Sequence, residues 1–239
     1  NIPQATYAFL AATSLGAIWS CCSQDFGVSS VVDRFAQIEP VLFIAADGYY
    51  YNGKTHTRLE EIDAVRQSLQ SIRDTLLINY TGAIRDEVQP GITIYDTLLE
   101  GENELPVFEA VPFDHPLWIL YSSGTTGAPK AITHSHGGCL LEHLKYLAFH
   151  NDVHPGERFF WYTTTGWMMW NFLHGSMMLG ATIVLYDGSP GYPDIDRLWA
   201  FSAEKDIQHF GTSAPYLVAC MKEGIHPGSQ HDLTSLRSI

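Results

Sequence analysis

The sequence predicts an α/β fold of largely parallel sheets flanked by helices. Two observations lead there. Strand-like and helix-like segments alternate along the chain without internal repeats, low-complexity tracts or a visible domain boundary. The 239 residues are also 46% hydrophobic and include 12 Phe, 12 Tyr and 6 Trp. That is enough apolar material for the core of one large domain, or most of one.

Taken in order, Pro3 opens a helix running toward Leu15, because proline suits a first helical turn. The apolar run YAFLAATSLGAIW (residues 7–19) is broken by Thr13, Ser14 and Gly16. It falls short of the roughly 20 residues of a membrane span and reads as a buried helix. Ser29 or Ser30 caps a second helix carrying Val31, Phe35 and Ile38, and Pro40 stops it. VLFIAAD (41–47) reads as a buried strand, and Asn52-Gly53 within YYYNGK marks a small antiparallel hairpin. Thr57-Arg58-Leu59-Glu60 has the capping-box pattern, followed at helical spacing by Ile62, Val65, Leu69 and Ile72 and then by the strand TLLINY. Residues 81–115, rich in Pro, Gly and acidic side chains, are the expected long surface excursion. Beyond them strands are predicted at PLWILYSS (116–123), AITHS (131–135), FFWYTT (159–164), ATIVLYD (181–187) and QHFGT (208–212). Helices are predicted at 138–149, 167–179, 194–205 and 214–223, with Asp194 capping the third and Gly224 ending the last.

Lys and Arg total 13 against 26 Asp and Glu, a formal net charge of −13, and no basic block stands out. That argues against general nucleic-acid binding, which needs clustered cations. An acidic chain that handles polyphosphate must do so locally, with backbone N–H groups, one or two lysines and a metal ion. Cys21, Cys22, Cys139 and Cys220 form no C-x-x-C, which predicts a reducing, cytoplasmic setting rather than structural zinc or disulfides. The chain opens at Asn1 without a signal-peptide start and closes at Ile239 within an apolar run, so both ends are expected to be cut. The sequon Asn79-Tyr80-Thr81 is then a chance match.

The chemically informative stretch is Y-S-S-G-T-T-G-A-P-K (121–130), directly after the strand PLWIL. Gly124 and Gly127 let the backbone turn tightly with N–H groups facing inward, and Ser122, Ser123, Thr125 and Thr126 add small hydroxyl donors. The result is an anion cradle. Pro129 stiffens its exit, and Lys130 supplies a point charge that can lie over a polyphosphate and follow charge onto a leaving pyrophosphate. It is not a Walker loop, since Lys130 follows Ala128-Pro129 and Ala131 stands where the metal-binding hydroxyl would be. Nor is it G-x-G-x-x-G. His134-x-His136 and Asp114-His115 lack a third ligand or a nucleophile at suggestive spacing, so no metal site is expected. No G-x-S-x-G elbow supports Ser122 or Ser123 as a nucleophile.

Residues 122–130 match the motif [ST]-S-G-[ST]-T-G-x-P-K, and here the chain resembles the adenylate-forming superfamily of acyl-CoA synthetases, peptide-synthetase adenylation domains and luciferases. The resemblance implies that the chain is the central part of the large N-terminal, AMP-binding domain. It implies ATP, Mg2+ and CoA as cofactors and a loop that grips the β- and γ-phosphates while a carboxylate attacks the α-phosphate. Ser122, Ser123, Gly124, Thr125, Thr126, Gly127 and Lys130 are its nucleotide-binding residues by that resemblance, with Lys130 and Thr126 catalytic. The adenylate is then captured by a thiol.

In this family the acyl pocket lies partly on the helix after the next strand, where T-T-T-G-W-M-M-W-N (163–171) stands. Trp167 matches an aromatic that changes position between the half-reactions. Met168, Met169 and Trp170 then close a pocket that holds only a small acid. Thr212-Ser213-Ala214-Pro215 approaches the same site, so Ser213 joins the acyl set. Trp167 or Trp170 N–H, or Asn171, is the candidate donor to a second carbonyl. The stretches at 14–27, S-V-V-D-R-F-A-Q-I-E-P and D-G-Y-Y-Y-N-G-K are similar to the acetoacetate-activating branch of the family. The same chemistry on acetate, propionate or butyrate, and a non-catalytic nucleotide-binding module, stay open beside it. Small molecules are the expected partners; oligomeric state is not readable. The family's adenine-binding loop, its magnesium-binding Glu, its ribose-binding Asp and the lysine of its C-terminal domain are not among these residues. This chain alone is therefore expected not to complete adenylation.

Overall fold

The computed structural model describes residues 1–84, 89–100, 105–122, 127 and 129–239. Helix α1 (Pro3–Ser14) starts at its proline as predicted. It buries Thr6, Ala8 and Phe9 but leaves Tyr7 and Leu10 exposed, so the run expected to be a buried helix is half-exposed. Its end breaks away as a short strand, β1 (Trp19–Ser20). Helix α2 (Val28–Phe35) begins one position before the serines expected to cap it; Gly27 holds the cap position and no side chain bonds there. Strands β2 (Leu42–Ala46), β3 (Gly48–Tyr51) and β4 (Lys54–Thr57) follow. The β3–β4 hairpin turns at Asn52 and Gly53, whose φ of 49° and 71° is the left-handed geometry such a two-residue turn requires. The capping box does not form. Thr57 is spent in β4, so α3 (Leu59–Ser68) starts without a side-chain cap, although Ile62 and Val65 are buried as their spacing predicts.

Strand β5 (Asp74–Ile78) pairs in parallel with β2 and with β6 (Ile92–Ile94). The expected surface excursion thus contains a strand, unrecognised because three residues in polar surroundings carry little periodic signal. Asp47, wholly buried at the end of β2, accepts N–H bonds from Tyr80, Thr81 and Ala83 and fixes the turn that leaves β5. A second sheet has the order β1-β7-β8, with β7 (Pro116–Tyr121) parallel to β1 and antiparallel to β8 (Ala131–Ser135). Ser135 caps α4 (His136–Lys145), whose end continues as a π-helical turn over Tyr146–His150.

The third sheet, β10-β9-β11, is wholly parallel: β9 (Arg158–Trp161) lies between β10 (Thr182–Val184) and β11 (His209–Gly211). Phe159 and Phe160, consecutive on β9, point to opposite faces and are 1% and 0% exposed. Phe159 packs with Leu147, Phe172 and Leu173 on one face, and Phe160 with Leu198, Phe201 and Phe210 on the other. The predicted helix 167–179 is two pieces, α5 (Met168–Gly175) and a 3-10 turn at Ser176–Leu179, closed by Gly180 at φ 77°. Helix α6 (Arg197–Glu204) starts three residues after Asp194, whose carboxylate instead accepts the Asp196 N–H and shapes the approach. Helix α7 (Ala214–Lys222) is capped by Ser213 and followed by Gly224 at φ 67°. Five strand pairs are parallel and two antiparallel among the described residues, as the alternating pattern predicts.

Candidate active site

Open α/β sheets take ligands outside the carboxyl ends of their parallel strands, and two such ends meet here. With Trp19 opposite Trp118 and Ser20 opposite Ile119, the segment after β1 and the loop after Tyr121 leave their sheet side by side. Trp161 stands opposite Gly211, so residues 163–167 and Thr212-Ser213 do the same in the other sheet. The Cys21 thiol donates to the Thr165 carbonyl (2.6 Å), and the Thr165 hydroxyl donates to the Cys22 carbonyl (2.9 Å). Gly166 backs so closely onto this segment that a Cβ there would stand 2.6 Å from the Ser23 nitrogen. These contacts join the two ends into one floor. Burial, helped by the neighbouring Cys22, pushes the Cys21 thiol up to about 12, and burial does the same for Cys22. Both stay protonated near neutrality and offer neither a nucleophile nor a metal ligand.

Of the expected phosphate loop, Ser123, Gly124, Thr125, Thr126 and Ala128 lie outside the described residues. Both of its ends are described. Tyr121 pairs with Ala131, and the Ser122 N–H donates to the Lys130 carbonyl at 3.1 Å, closing the neck of the loop. Gly127 and Lys130 are exposed, and Ser122 is half-buried. On the outer edge, Gln37 in the turn after α2 donates to the Pro129 carbonyl (2.8 Å) and accepts from the Ala131 N–H (3.3 Å). Sequence reasoning passed over Gln37, since a glutamine at the polar end of a helix carries no pattern.

The acyl candidates fall into two groups. Trp167, at the N-cap of α5, and Met168 are 48% and 41% exposed at the rim. Met169 lies behind them, packed with Trp161 against Phe172 and Leu173. Trp170 has no exposed surface; its ring centroid lies 5.6 Å from that of Phe9, 6.2 Å from Trp19 and 4.0 Å from His174. Its indole N–H already donates to Asn1 Oδ1 at 3.0 Å. Asn171 is also wholly buried, and neither end of its amide has a hydrogen-bond partner among the described residues. It shares a helix face with Gly175, which packs on His143 of α4, so it faces α4 rather than the rim. Ser213 is half-buried and accepts the Tyr216 N–H at 3.4 Å.

Two neighbouring polar groups were given no role from sequence, although Thr212 lies in the segment expected to approach the site. Thr212 Oγ1, just past β11, and Trp161 Nε1, at the end of β9, are buried without partners among the described residues. Such groups are costly to leave unpaired. Behind the rim, His174 donates from Nδ1 to the Trp170 carbonyl (2.7 Å) and accepts at Nε2 from the Thr6 hydroxyl (2.9 Å). Burial lowers its pKa to about 4, so it is neutral at ordinary pH. His134 Nδ1 accepts from the Trp118 indole (3.0 Å), and His115 donates to the Gly16 carbonyl (2.8 Å). No three of His, Cys, Asp and Glu come together as a metal site among the described residues. No helix among them is long and apolar enough to cross a membrane.

A family model described as AMP-binding enzyme matches residues 1–239. The acetoacetyl-coenzyme A synthetase of Rhizobium meliloti (strain 1021) is 48% identical over 240 residues, covering 99% of this chain and 37% of that protein. The malonamoyl-CoA synthetase vrtB of Penicillium aethiopicum is 38% identical over 234 residues, covering 90% of this chain and 32% of that protein. Among solved structures, the acetoacetyl-CoA synthetase from Streptomyces lividans superposes with a TM-score of 0.93 at 51% identity, over 99% of this chain and 36% of that one. The chain thus spans about a third of the length of the curated relatives it matches.

Proposed function

The chain belongs to the AMP-binding enzyme family, and from that premise we propose that the full-length protein activates acetoacetate with ATP and transfers it to CoA. The products are acetoacetyl-CoA, AMP and pyrophosphate. The observation that carries this reading is the likeness to acetoacetyl-CoA synthetases across 99% of the chain. The meeting of the loop end and the acyl end on one floor supports it. Within the whole protein, this chain forms the central part of the AMP-binding N-terminal domain.

In the first step a carboxylate oxygen of acetoacetate attacks the α-phosphorus, and the bond to pyrophosphate breaks with its electron pair leaving on pyrophosphate. Lys130, with Ser122, Ser123, Gly124, Thr125, Thr126 and Gly127, binds the β- and γ-phosphates and stabilises that departing charge. In the second step the CoA sulfur attacks the acyl carbon and AMP leaves. Catalysis here is positioning and electrostatics, and no covalent protein intermediate forms. Trp167 and Met168 enclose a small acid with Ser213 beside them, while Met169, Trp170 and Asn171 stand behind that wall. The second carbonyl of a β-keto acid needs a donor. The Thr212 hydroxyl, buried without a partner among the described residues, is available for it, whereas the Trp170 N–H is engaged and the Asn171 amide faces α4.

Magnesium accompanies ATP in this reading. The described residues assemble no carboxylate or imidazole cluster to cage it. The four free thiols fit a reducing setting, and cytoplasmic location belongs to the same proposal.

A second reading keeps the chemistry and changes the acid to malonamate, because a relative at 38% identity is named for malonamoyl-CoA and that acid also carries a second carbonyl. The test is acid-dependent ATP–pyrophosphate exchange by the full-length protein across acetoacetate, malonamate, acetate, propionate and butyrate. Exchange is expected to be strongest with acetoacetate. Preference for another acid replaces the substrate and keeps the mechanism. Exchange with none leaves a nucleotide-binding module.

A further inference from the structure

We propose that Gln37 is a positioning residue for Lys130: its amide grips the backbone on both sides of the lysine and fixes the direction in which that side chain leaves the β7–β8 hairpin. The proposal rests on the reading of Lys130 as the charge that meets the phosphates of ATP.

Backbone groups along a strand alternate between its two edges. The Lys130 carbonyl turns inward to the Ser122 N–H (3.1 Å), so the Pro129 carbonyl and the Ala131 N–H turn outward. No strand lies on that side of β8 in the described sheet. Gln37 takes its place, donating from Nε2 to Pro129 (2.8 Å) and accepting at Oε1 from Ala131 (3.3 Å). The same nitrogen donates to the Asp33 carbonyl (2.8 Å), which ties the amide to the last turn of α2.

Helix α2 is itself anchored to the other strand of the hairpin. Tyr121, the last residue of β7, packs against the cluster containing Phe35, Val31 and Val32, and the Arg34 guanidinium lies 6.0 Å from its ring centroid. Helix α2 and the turn that follows it therefore hold both strands from which the phosphate loop springs. Gln37 is exposed, so water would satisfy the Pro129 and Ala131 groups in its absence and little stability depends on it. What the amide supplies is orientation. Lysine carries its charge on a long, flexible stem, and the direction of its root decides where the ammonium spends its time.

The test uses the full-length protein with Gln37→Ala, Gln37→Glu, Lys130→Ala and the Gln37→Ala/Lys130→Ala pair. Gln37→Ala is expected to lower kcat for acetoacetate-dependent ATP–pyrophosphate exchange about tenfold, within the roughly hundredfold that a misplacement of about 1 Å can cost. The KM for acetoacetate and the thermal midpoint stay unchanged. Gln37→Glu falls as far, because a carboxylate cannot donate to Pro129. In the Lys130→Ala background the loss of Gln37 has no further effect, since a residue acting through another is silent without it. Wild-type kcat in Gln37→Ala, or two losses that multiply in the double variant, overturns the proposal. Amide hydrogen exchange at Ala131 reads the grip without turnover: it accelerates in Gln37→Ala, and an unchanged rate overturns the grip itself. If the unaltered protein turns over no acid, the functional reading has failed, and ATP affinity replaces kcat in the same cycle. Gln37→Ala must then weaken ATP binding only where Lys130 is present, or the proposal falls.

Discussion

Lys130 stands exposed at the end of an antiparallel hairpin, held through its backbone by Ser122 and through its neighbours by Gln37. Trp170, on the other side of the same floor, has no exposed surface and sits among Phe9, Trp19 and His174, one layer from a strand whose Phe160 is also fully enclosed. The loop side is polar, edge-like and kept in shape by hydrogen bonds to backbone. The acyl side is a rim of two exposed side chains on an aromatic core. The difference separates the two roles in energy. A substitution on the loop side acts on turnover with little effect on stability, and one behind the acyl rim acts on stability first.

The largest effect is expected from Trp170→Ala, which should cost about 4 kcal/mol of unfolding free energy, the usual range for emptying a large aromatic site. Denaturant unfolding of the full-length protein measures it, and a loss under about 1 kcal/mol would mean the acyl side is not built on its core. Next comes pH. The unfolded His174 imidazole takes a proton near 6.5 but the folded one only at about 4, so stability is complete above pH 6.5 and declines as pH falls through that interval. A shift of this size corresponds to about 3 kcal/mol. His174→Gln should flatten this part of the stability profile, and an equally steep profile in that variant would assign the slope elsewhere.

Lys130→Ala should reduce ATP–pyrophosphate exchange about a hundredfold, as loss of one transition-state donor does, with no movement of the unfolding midpoint. A destabilised Lys130→Ala protein would break the comparison from the loop side. The smallest effect, about 1 kcal/mol for one lost hydrogen bond, is expected from Thr165→Val, whose hydroxyl joins the two ends through Cys22. It sharpens the contrast, because a side chain between the two regions should move both unfolding and exchange. A change in only one of them would place Thr165 wholly on that side.

The readable parts of this molecule were those whose conformation is decided within a few residues. Asn52-Gly53 announced its hairpin because both residues accept a positive φ, and Pro3 and Gly224 marked helix ends by the same kind of local rule. The capping patterns at Ser29, Ser30 and Thr57 are equally local but were overruled: α2 begins at Val28, and Thr57 completes a ladder with Gly48. Strand β6 exists because β5 offers it an edge, a fact absent from Ile92-Thr93-Ile94 themselves. Within the candidate site, the loop was legible because its chemistry lies in residue types, though Ser123, Gly124, Thr125 and Thr126 fall outside the described residues. Gln37 was not legible, and Thr212 was legible only as part of the approaching segment 212–215, because each matters through a partner or a void far away in sequence.

The sequence alone determined the α/β class, the parallel majority of its strands, the hairpin, and a glycine- and hydroxyl-rich loop ending in lysine, because alternation, turn chemistry and functional groups are properties of short stretches. Only the tertiary structure decided that Trp167 stands at the rim while Trp170, three residues on in the same helical run, is enclosed. It alone decided that Cys21 and Cys22 meet Thr165 and so bring the loop end and the acyl end together. Burial on one face of a helix and contact between distant residues follow from how the whole chain packs, and no short window of sequence carries that information.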